Sequence, residues 1–203
     1  MKVDKTFLKA LSGFTYYPRE ILILQHAGSN VIYASYPCRV AWISWPSEHS
    51  DVKLKVTKYL PTNYGTFVEL SPAMSWNEFV FSSYPRVKAS PTVEMDRYSH
   101  LPEAKCDWDV LDGLIFSSRE DYVSLSGLGI YSPFSSVFAP PFRKLAPLSA
   151  FGVDSIRYAF GKPTNNDEGD VFGLILTCSN GVTMHAYSLC VGCFTGNLAV
   201  KGG

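Results

Sequence analysis

The clearest pattern of hydrophobic and polar positions lies near the end of the chain, where two apolar runs flank a turn signal. The runs are Val171–Cys178 and Val182–Leu189, and Asn180-Gly181 stands between them. Asn-Gly suits a two-residue type I′ turn, because both central positions of that turn need a positive φ. The pattern therefore predicts an antiparallel hairpin.

The predicted hairpin is apolar on both faces. With a two-residue turn, Leu174 lies opposite Tyr187 and Leu176 lies opposite His185. We expect Leu174, Leu176 and Tyr187 to be buried. A hairpin buried on both sides belongs inside a sheet-on-sheet or barrel core and not at a solvated edge.

Other short runs, separated by thirteen prolines and fifteen glycines, are also typical of strands. They are Glu20–His26, Val31–Tyr36, Val40–Trp45, Val52–Thr57, Thr66–Leu70, Glu78–Ser82, Leu114–Ser117 and Ile156–Phe160. This pattern predicts a mainly β protein, either a small mixed β-barrel or a barrel-like sandwich, with one or two short helices. No repeat or linker stands out, so we expect a single barrel-like domain with insertions over residues 1–196 and a short tail at 197–203.

Two segments carry helical signals and one carries a loop signal. Lys5–Ser12 is amphipathic, and Gly13 is the expected end of that helix. Ser117–Glu120 resembles a capping box, which predicts a short helix running to Leu125. Tyr131–Leu148 holds four prolines, so we expect an extended loop there.

Composition excludes several classes of protein. Eighteen basic residues balance eighteen acidic ones, so no overall field draws the chain to nucleic acid or to an anionic membrane. Apolar residues make up 46% of the chain, which excludes a disordered protein. No apolar run approaches the ~20 residues of a spanning helix, and the start of the chain lacks a secretory apolar region. We expect a soluble protein that stays in the cytosol where it is made, with no membrane partner.

The five cysteines are odd in number and irregularly spaced, which is not a disulfide framework. Cys190 and Cys193 form a single Cys-x-x-Cys motif, and Cys178 and His185 could complete a four-ligand zinc site. Their surroundings are apolar and no second such motif is present. Buried free cysteines are common core residues, so we expect no metal, while the zinc alternative stays open.

Candidate catalytic chemistry is sparse. The chain has no Gly-x-Ser-x-Gly elbow, no phosphate-binding glycine-rich loop and no His-Glu-x-x-His motif. Asn165–Asp170 is rich in oxygens but lacks the spacing of a calcium loop, so we expect a solvated loop. We therefore predict no catalytic residue, no cofactor and no enzymatic activity, while a Cys38 or serine nucleophile with one of the four histidines as its base stays open.

Several short blocks occur in an order that matches a known family. They are Arg19–Leu22, Gly65–Leu70, Leu114–Val123, Leu148–Tyr158 followed by Gly161-Lys162, and Gly169–Leu176 followed after a turn by Ala186-Tyr187. The last of these resembles the final two barrel strands of coronavirus non-structural protein 1, the leader product of the viral replicase polyprotein. The Leu148 block is similar to the preceding strand of that family, and the Leu114 block is similar to its strand-to-polar-turn segment.

The resemblance implies a non-enzymatic viral protein that suppresses host gene expression and translation and antagonises innate interferon responses. Members with a helical tail carrying a Lys-His pair plug the ribosomal mRNA channel with it. No such tail follows the last predicted strand here, so the resemblance implies action through the barrel surface alone. The implied partners are host translation or RNA-handling factors, the implied location is the host cell cytoplasm, and the implied state is a monomer.

The last residues of the chain are similar to the site at which a viral papain-like protease releases a leader protein. Such a cleft closes tightly around the backbone, where only glycine fits. The resemblance therefore implies this protease as a partner and a processing tail. The tail residues are Leu198, Val200, Lys201, Gly202 and Gly203.

Basic residues in predicted turns are the candidate contacts with host factors. They are Arg119 beside the Ser117-Ser118 turn, the Arg143-Lys144 pair in the proline-rich segment, and Lys162 after the Arg157-bearing strand. Such side chains can meet phosphates or acidic partners, although solvated charge is the simpler explanation for any one of them.

Two other classes of function stay open. Low charge and abundant aromatic residues also suit a viral structural or assembly protein of sandwich type, in which the aromatic side chains are buried between subunits. A carbohydrate-binding β-module using the four tryptophans is a third reading. Tryptophans in apolar strands are, however, usually core residues.

Overall fold

The protein is mainly β with a few short helices, as the sequence predicts. The computed structural model describes residues 5–15, 20–36, 38–46, 91–164 and 169–192. The strands are β1 (Glu20–His26), β2 (Ser29–Tyr36), β3 (Arg39–Pro46), β4 (Glu103–Lys105), β5 (Tyr122–Ser124), β6 (Ser136–Phe138), β7 (Val153–Gly161), β8 (Val171–Cys178) and β9 (Thr183–Val191).

Four α-helices and three shorter turns accompany the strands in the described part of the chain. The helices are α1 (Lys5–Thr15), α2 (Pro91–Ser99), α3 (Trp108–Leu111) and α4 (Ala139–Arg143). A π-helical turn at Asp112–Phe116 and 3₁₀ turns at Leu125–Leu128 and Ala146–Phe151 complete the set. None of the described helices has the length and apolar character needed to cross a membrane.

The sheet is antiparallel and its main path runs β1-β2-β3-β9-β8-β7-β4. The β5–β6 ribbon joins it where β6 pairs with the end of β9. Within the described residues β1 and β4 are the two edges of this path, and the strands do not close into a barrel. The prediction of a mainly β fold is confirmed. Where the sequence predicts a barrel or a barrel-like sandwich, the described strands form an open sheet with a core on each face.

The β8–β9 hairpin forms over the predicted residues but with a different turn. Gly181 has φ +80° while Asn180 does not have a positive φ, and the Gly181 N–H donates to the Cys178 carbonyl at 2.9 Å. Cys178 and Val182 also pair across the turn at 2.9 Å. This is a three-residue loop of a type I turn followed by a left-handed glycine, not the predicted type I′ turn. The extra loop residue shifts the register by one.

The register shift changes which side chains share a face. Leu174 lies opposite Ala186 and Leu176 opposite Met184, so the predicted pairs with Tyr187 and His185 are wrong. Leu174, Leu176 and Tyr187 are nonetheless buried, at 0, 0 and 1% exposure, because both faces of the sheet are covered. Their burial and the two apolar faces are confirmed.

Two cores lie on opposite faces of the sheet. The first core, which contains Leu174 and Leu176, packs against α1 through Phe7, Leu11 and Phe14. The second core packs against α2. It contains Val31, Tyr33, Val40, Trp42, Met95, Leu101, Ala159, Val171, Ile175 and Tyr187. The first core also receives α4, whose Phe142 contacts Phe14 at a ring distance of 4.9 Å.

Helix α1 runs beyond its predicted end at Gly13. A Cβ at Gly13 would lie 3.0 Å from Cγ of Lys144, so the glycine lets the lysine stem pass over the helix. The carbonyl of Phe14 near the helix end accepts a hydrogen bond from Arg39 Nη1 at 3.2 Å. Tertiary packing thus uses Gly13 as a contact point and not as a stop signal.

Three further predictions about local structure are wrong. The predicted strand Leu114–Ser117 is the end of the π-helical turn, which stops at Phe116, and Ser117 caps it. Ser117–Glu120 is followed by β5 and not by a helix. The Tyr131–Leu148 segment contains β6 and α4. Pro140 and Pro141 fall in the first turn of α4, where a missing N–H costs no hydrogen bond.

The strand predictions at Glu20–His26, Val31–Tyr36, Val40–Trp45 and Ile156–Phe160 are confirmed. Those at Val52–Thr57, Thr66–Leu70 and Glu78–Ser82 lie outside the described residues, as does the tail at 197–203.

Candidate functional site

The four predicted contact cations differ in their surroundings. Arg119 is exposed in the turn before β5. Arg143 is half-buried, and its Nη2 donates a hydrogen bond to the carbonyl of Glu120. This bond ties the end of α4 to the turn that carries Arg119, so Arg143 has a structural partner that the sequence did not reveal.

Lys144 and Lys162 are both exposed but lie in different connections. The stem of Lys144 runs over Gly13 on α1. Lys162 follows β7, beside the point where Gly161 pairs with Val171. The structure therefore groups Arg119, Arg143 and Lys144 around the ends of α4 and places Lys162 in the β7–β8 connection.

A row of side chains that sequence reasoning missed crosses the second face of the sheet. Successive strand pairings place Trp42 opposite His185, His185 opposite Ile175, Ile175 opposite Arg157, and Arg157 opposite Lys105. Directly paired residues project to the same face, so β3, β9, β8, β7 and β4 present these side chains side by side. The one sequence signal for this row is the alternation of polar and apolar residues along β7, because the residues that pair across the strands are far apart in the chain.

His185 is held by aromatic neighbours in this row. Its ring stacks on Trp42 at 4.7 Å and 13°, and its Nδ1 lies 3.3 Å from the hydroxyl of Tyr187. Burial, and secondarily the charge of Arg157, lower the pKa of His185 to about 3. The imidazole is therefore neutral near pH 7.

Helix α2 covers the inner part of this face. Tyr98 stacks on Tyr187 at 4.8 Å, and the hydroxyl of Tyr33 donates a hydrogen bond to Glu94. Burial, with a contribution from Glu94, raises the pKa of Tyr33, so its hydroxyl stays protonated. His26 Nε2 lies 2.9 Å from the carboxylate of Asp96. On the outer part of the face, toward the β8–β9 turn and β4, Lys105 and Ser155 are exposed.

Two cations lie directly opposite each other at that outer part. Lys105 and Arg157, here called the cationic pair, are cross-strand partners on β4 and β7. Arg157 Nη1 binds Glu103 Oε2 at 2.5 Å. Lys105 is exposed and has no ion-pair partner among the described residues.

Four hydroxyl side chains follow the next line of pairings. The hydroxyl row consists of Ser44, Thr183, Thr177 and Ser155, which are paired in that order on β3, β9, β8 and β7. The Thr183 hydroxyl donates to the Thr177 hydroxyl at 3.3 Å. All four are at least partly exposed, so the row is a polar strip beside the cationic pair.

The zinc alternative is not supported by the arrangement of its ligands. The register places Cys178 in the first core, whereas His185 lies on the second face. Cys190 pairs near β6, and Cys193 lies outside the described residues. Within the described part of the chain, no three His, Cys, Asp or Glu side chains are grouped to hold a metal ion.

Three of the five cysteine thiols, those of Cys106, Cys178 and Cys190, are poor nucleophiles in this structure. Burial, followed by the charge of Asp170, raises the pKa of Cys190 to about 12. Burial also raises the pKa values of Cys106 and Cys178. These thiols stay protonated near pH 7, and it is the thiolate that reacts.

Two aromatic side chains are strongly exposed near the end of β9. Tyr131 is 85% exposed and Phe134 is 57% exposed. Their loop is held by Ser132, whose hydroxyl donates to Asp170 at 3.2 Å and accepts from the N–H of Phe134 at 3.3 Å. The loop is therefore an ordered apolar protrusion.

No protein-family model matches the sequence, and no curated protein matches it.

Proposed function

We propose that this protein is a viral leader non-structural protein that suppresses host gene expression and translation and antagonises innate interferon responses. It acts in the host cell cytoplasm as a monomer, through contacts of its folded surface with host translation or RNA-handling factors. It performs no catalysis and uses no cofactor. A viral papain-like protease releases it from a polyprotein.

The observation that carries this proposal is the arrangement of the resembling blocks. The blocks Leu148–Tyr158, Gly169–Leu176 and Ala186-Tyr187 supply parts of β7, β8 and β9, which are consecutive neighbours inside the sheet. Ala186 lies directly opposite Leu174. Blocks that follow one another in sequence thus form one antiparallel unit. The block Leu114–Val123 differs, because it forms a π-helical turn followed by β5.

The titration behaviour of the buried groups supports a non-enzymatic protein. An efficient general base has a pKa near the working pH, whereas the pKa of His185 is about 3. The thiols of Cys106, Cys178 and Cys190 have raised pKa values, which disfavours nucleophilic catalysis. Binding through the surface is the simpler use of this fold.

A reporter-expression assay in host cells tests the proposal. The wild type is compared with the variant Arg119→Glu/Lys144→Glu/Lys162→Glu, which leaves the structural bond of Arg143 intact. We expect the wild type to lower reporter expression and the triple variant to lose most of that effect. Lys9→Glu, an exposed position on α1, is the control for charge reversal and is expected to behave as wild type. Reporter expression unchanged by the wild type would contradict the proposal.

Processing is tested separately. A chain extended by several residues after Gly203 is incubated with a viral papain-like protease. Release of the extension from the wild type, but not from Gly202→Ala/Gly203→Ala, is the expected result, because the cleft accepts only glycine where it closes on the backbone. Equal resistance of both chains would remove the protease from the proposal.

The assembly alternative is favoured by one observation, the exposure of Tyr131 and Phe134. Exposed aromatic side chains on an ordered loop are typical of subunit contacts. The solution mass separates this alternative from the leader-protein proposal. The carbohydrate alternative is weakened, because Trp42 and Trp45 are 6% and 1% exposed and cannot present a stacking surface.

A further inference from the structure

The cationic pair on the second face is electrostatically unfavourable as it stands. Lys105 and Arg157 are direct cross-strand partners, so their Cβ atoms are about 4.5–5.5 Å apart and their side chains leave the same face. Like charges in this position destabilise a sheet. Among the described residues, the carboxylate ion-paired with either cation is that of Glu103, and it binds Arg157. Asp154 acts on Cys178, which lies in the first core, and not on this face. An anion bound beside Lys105 would remove the repulsion.

The hydroxyl row ends beside the same pair. Ser155 lies two residues before Arg157 on β7 and is exposed on the same face. Because the Thr183 hydroxyl donates to Thr177, the proton of the Thr177 hydroxyl is available to an acceptor further along the row. Hydroxyl donors next to two cations form a site for a ligand with phosphate oxygens.

The length of the hydroxyl row and the small number of cations beside it favour an extended ligand that carries few charges. The row spans four strands, so three inter-strand spacings of about 4.7–4.9 Å give it a length of about 14 Å. An extended peptide that is acidic at every residue would place about four carboxylates along this length, at about 3.4 Å per residue, beside only two cations. A ribose-phosphate chain needs few cations, and its 2′-hydroxyls both donate to and accept from hydroxyl side chains.

We propose that the second face binds single-stranded RNA, with the cationic pair on a backbone phosphate and the hydroxyl row on the neighbouring ribose groups. This inference deepens the proposed function by naming RNA as a direct partner. It is tested with purified components, so its outcome does not depend on whether the chain suppresses a reporter in cells.

The first test is a fluorescence-anisotropy titration of the full chain with a labelled uridine decamer over a range of salt concentrations. Lys105→Glu is expected to weaken binding about tenfold or more and to lower the salt slope by about 1, since one phosphate contact is lost. Lys9→Glu carries the same charge change at an exposed site on the other side of the sheet and is expected to bind as wild type. Equal losses in the two variants, or none in either, would overturn the proposal.

The second test separates ribose recognition from charge. The wild type is expected to bind the uridine decamer more tightly than the corresponding deoxyuridine decamer, and Ser155→Ala/Thr177→Val is expected to remove that preference. The two side chains that are replaced are at least partly exposed, so the double variant is expected to fold, and thermal unfolding checks this. A wild type that binds a glutamate decapeptide more tightly than the uridine decamer would overturn the proposal in favour of an acidic protein partner.

Discussion

At the scale of single residues, the most constrained contact is that between Gly173 and Tyr187. The two residues are directly opposite each other on β8 and β9, and the ring of Tyr187 lies across the glycine. A Cβ at Gly173 would overlap that ring. The ring in turn stacks on Trp42 at 5.2 Å and on Tyr98 at 4.8 Å, so it has little room to move.

Gly173→Ala is therefore expected to lower the free energy of unfolding by about 1–3 kcal/mol, the cost of overpacking a core. Gly113→Ala is the matched control, because a Cβ at Gly113 meets no atom within 4 Å. Urea denaturation of both variants measures the difference. A Gly173→Ala variant as stable as Gly113→Ala would show that the Tyr187 ring can be displaced without cost.

The pKa of His185 gives a prediction about pH. The pKa is about 6.5 in the unfolded chain and about 3 in the folded protein, so only the unfolded chain takes up the proton on acidification. The stability that neutral His185 provides is complete above pH 6.5 and is lost as the pH falls toward 3.

Compared with the wild type, His185→Gln is expected to have a smaller loss of stability between pH 6.5 and 4. The difference amounts to at most about 1.4 kcal/mol per pH unit for one proton. Urea denaturation at several pH values measures the difference. The two proteins have the same carboxylates, so the titration of those groups cancels in the comparison. Parallel stability profiles for the two proteins would contradict a neutral, buried imidazole.

At the scale of elements, α2 is the cover of the second core. It has few apolar residues, but Met95 is 2% exposed and packs in the second core, while Val93 is 59% exposed. The contacts of Glu94 with Tyr33 and of Asp96 with His26 hold the helix on the β1–β2 side of the sheet. The α2 segment has only a weak helical pattern of apolar residues, and its contacts with the sheet stabilise it as a helix.

Met95→Ala is expected to lower the free energy of unfolding by about 2–5 kcal/mol, because it removes buried atoms and leaves a cavity. Val93→Ala on the same helix is expected to change stability by less than about 0.5 kcal/mol. Denaturation and hydrogen exchange of residues 91–99 measure both effects. Equal stability of the two variants would mean that α2 contributes little to the second core.

At the scale of the whole molecule, the two covered faces leave Tyr131 and Phe134 as the main exposed aromatic protrusion of the described residues. The leader-protein proposal expects a monomer of 22.5 kDa in sedimentation equilibrium. The assembly alternative expects oligomers that dissociate in Tyr131→Ser/Phe134→Ser. Tyr122→Ser, at a position 49% exposed on β5, is the control. Oligomers of the wild type would favour the assembly alternative over the leader-protein proposal.

The local pattern of apolar residues determined the strands of the β8–β9 hairpin, their burial on both faces and the mainly β class. These features follow from the sequence because successive side chains of a strand point to opposite faces, so a run that is apolar at every position has two faces to bury. The same pattern determined β1, β2, β3 and β7, because β-rich runs bounded by turn residues leave few other structures.

Tertiary structure alone decided the register, the end of α1, the helices α2, α3 and α4, and the candidate RNA surface. The three-residue loop at Gly181 moved His185 away from the face of Cys178. The Lys144 stem let α1 continue through Gly13. The pairing of Lys105 with Arg157 joins strands that are about fifty residues apart in the chain. Such contacts depend on how distant segments pair and pack, and the order of residues along one strand does not contain that information.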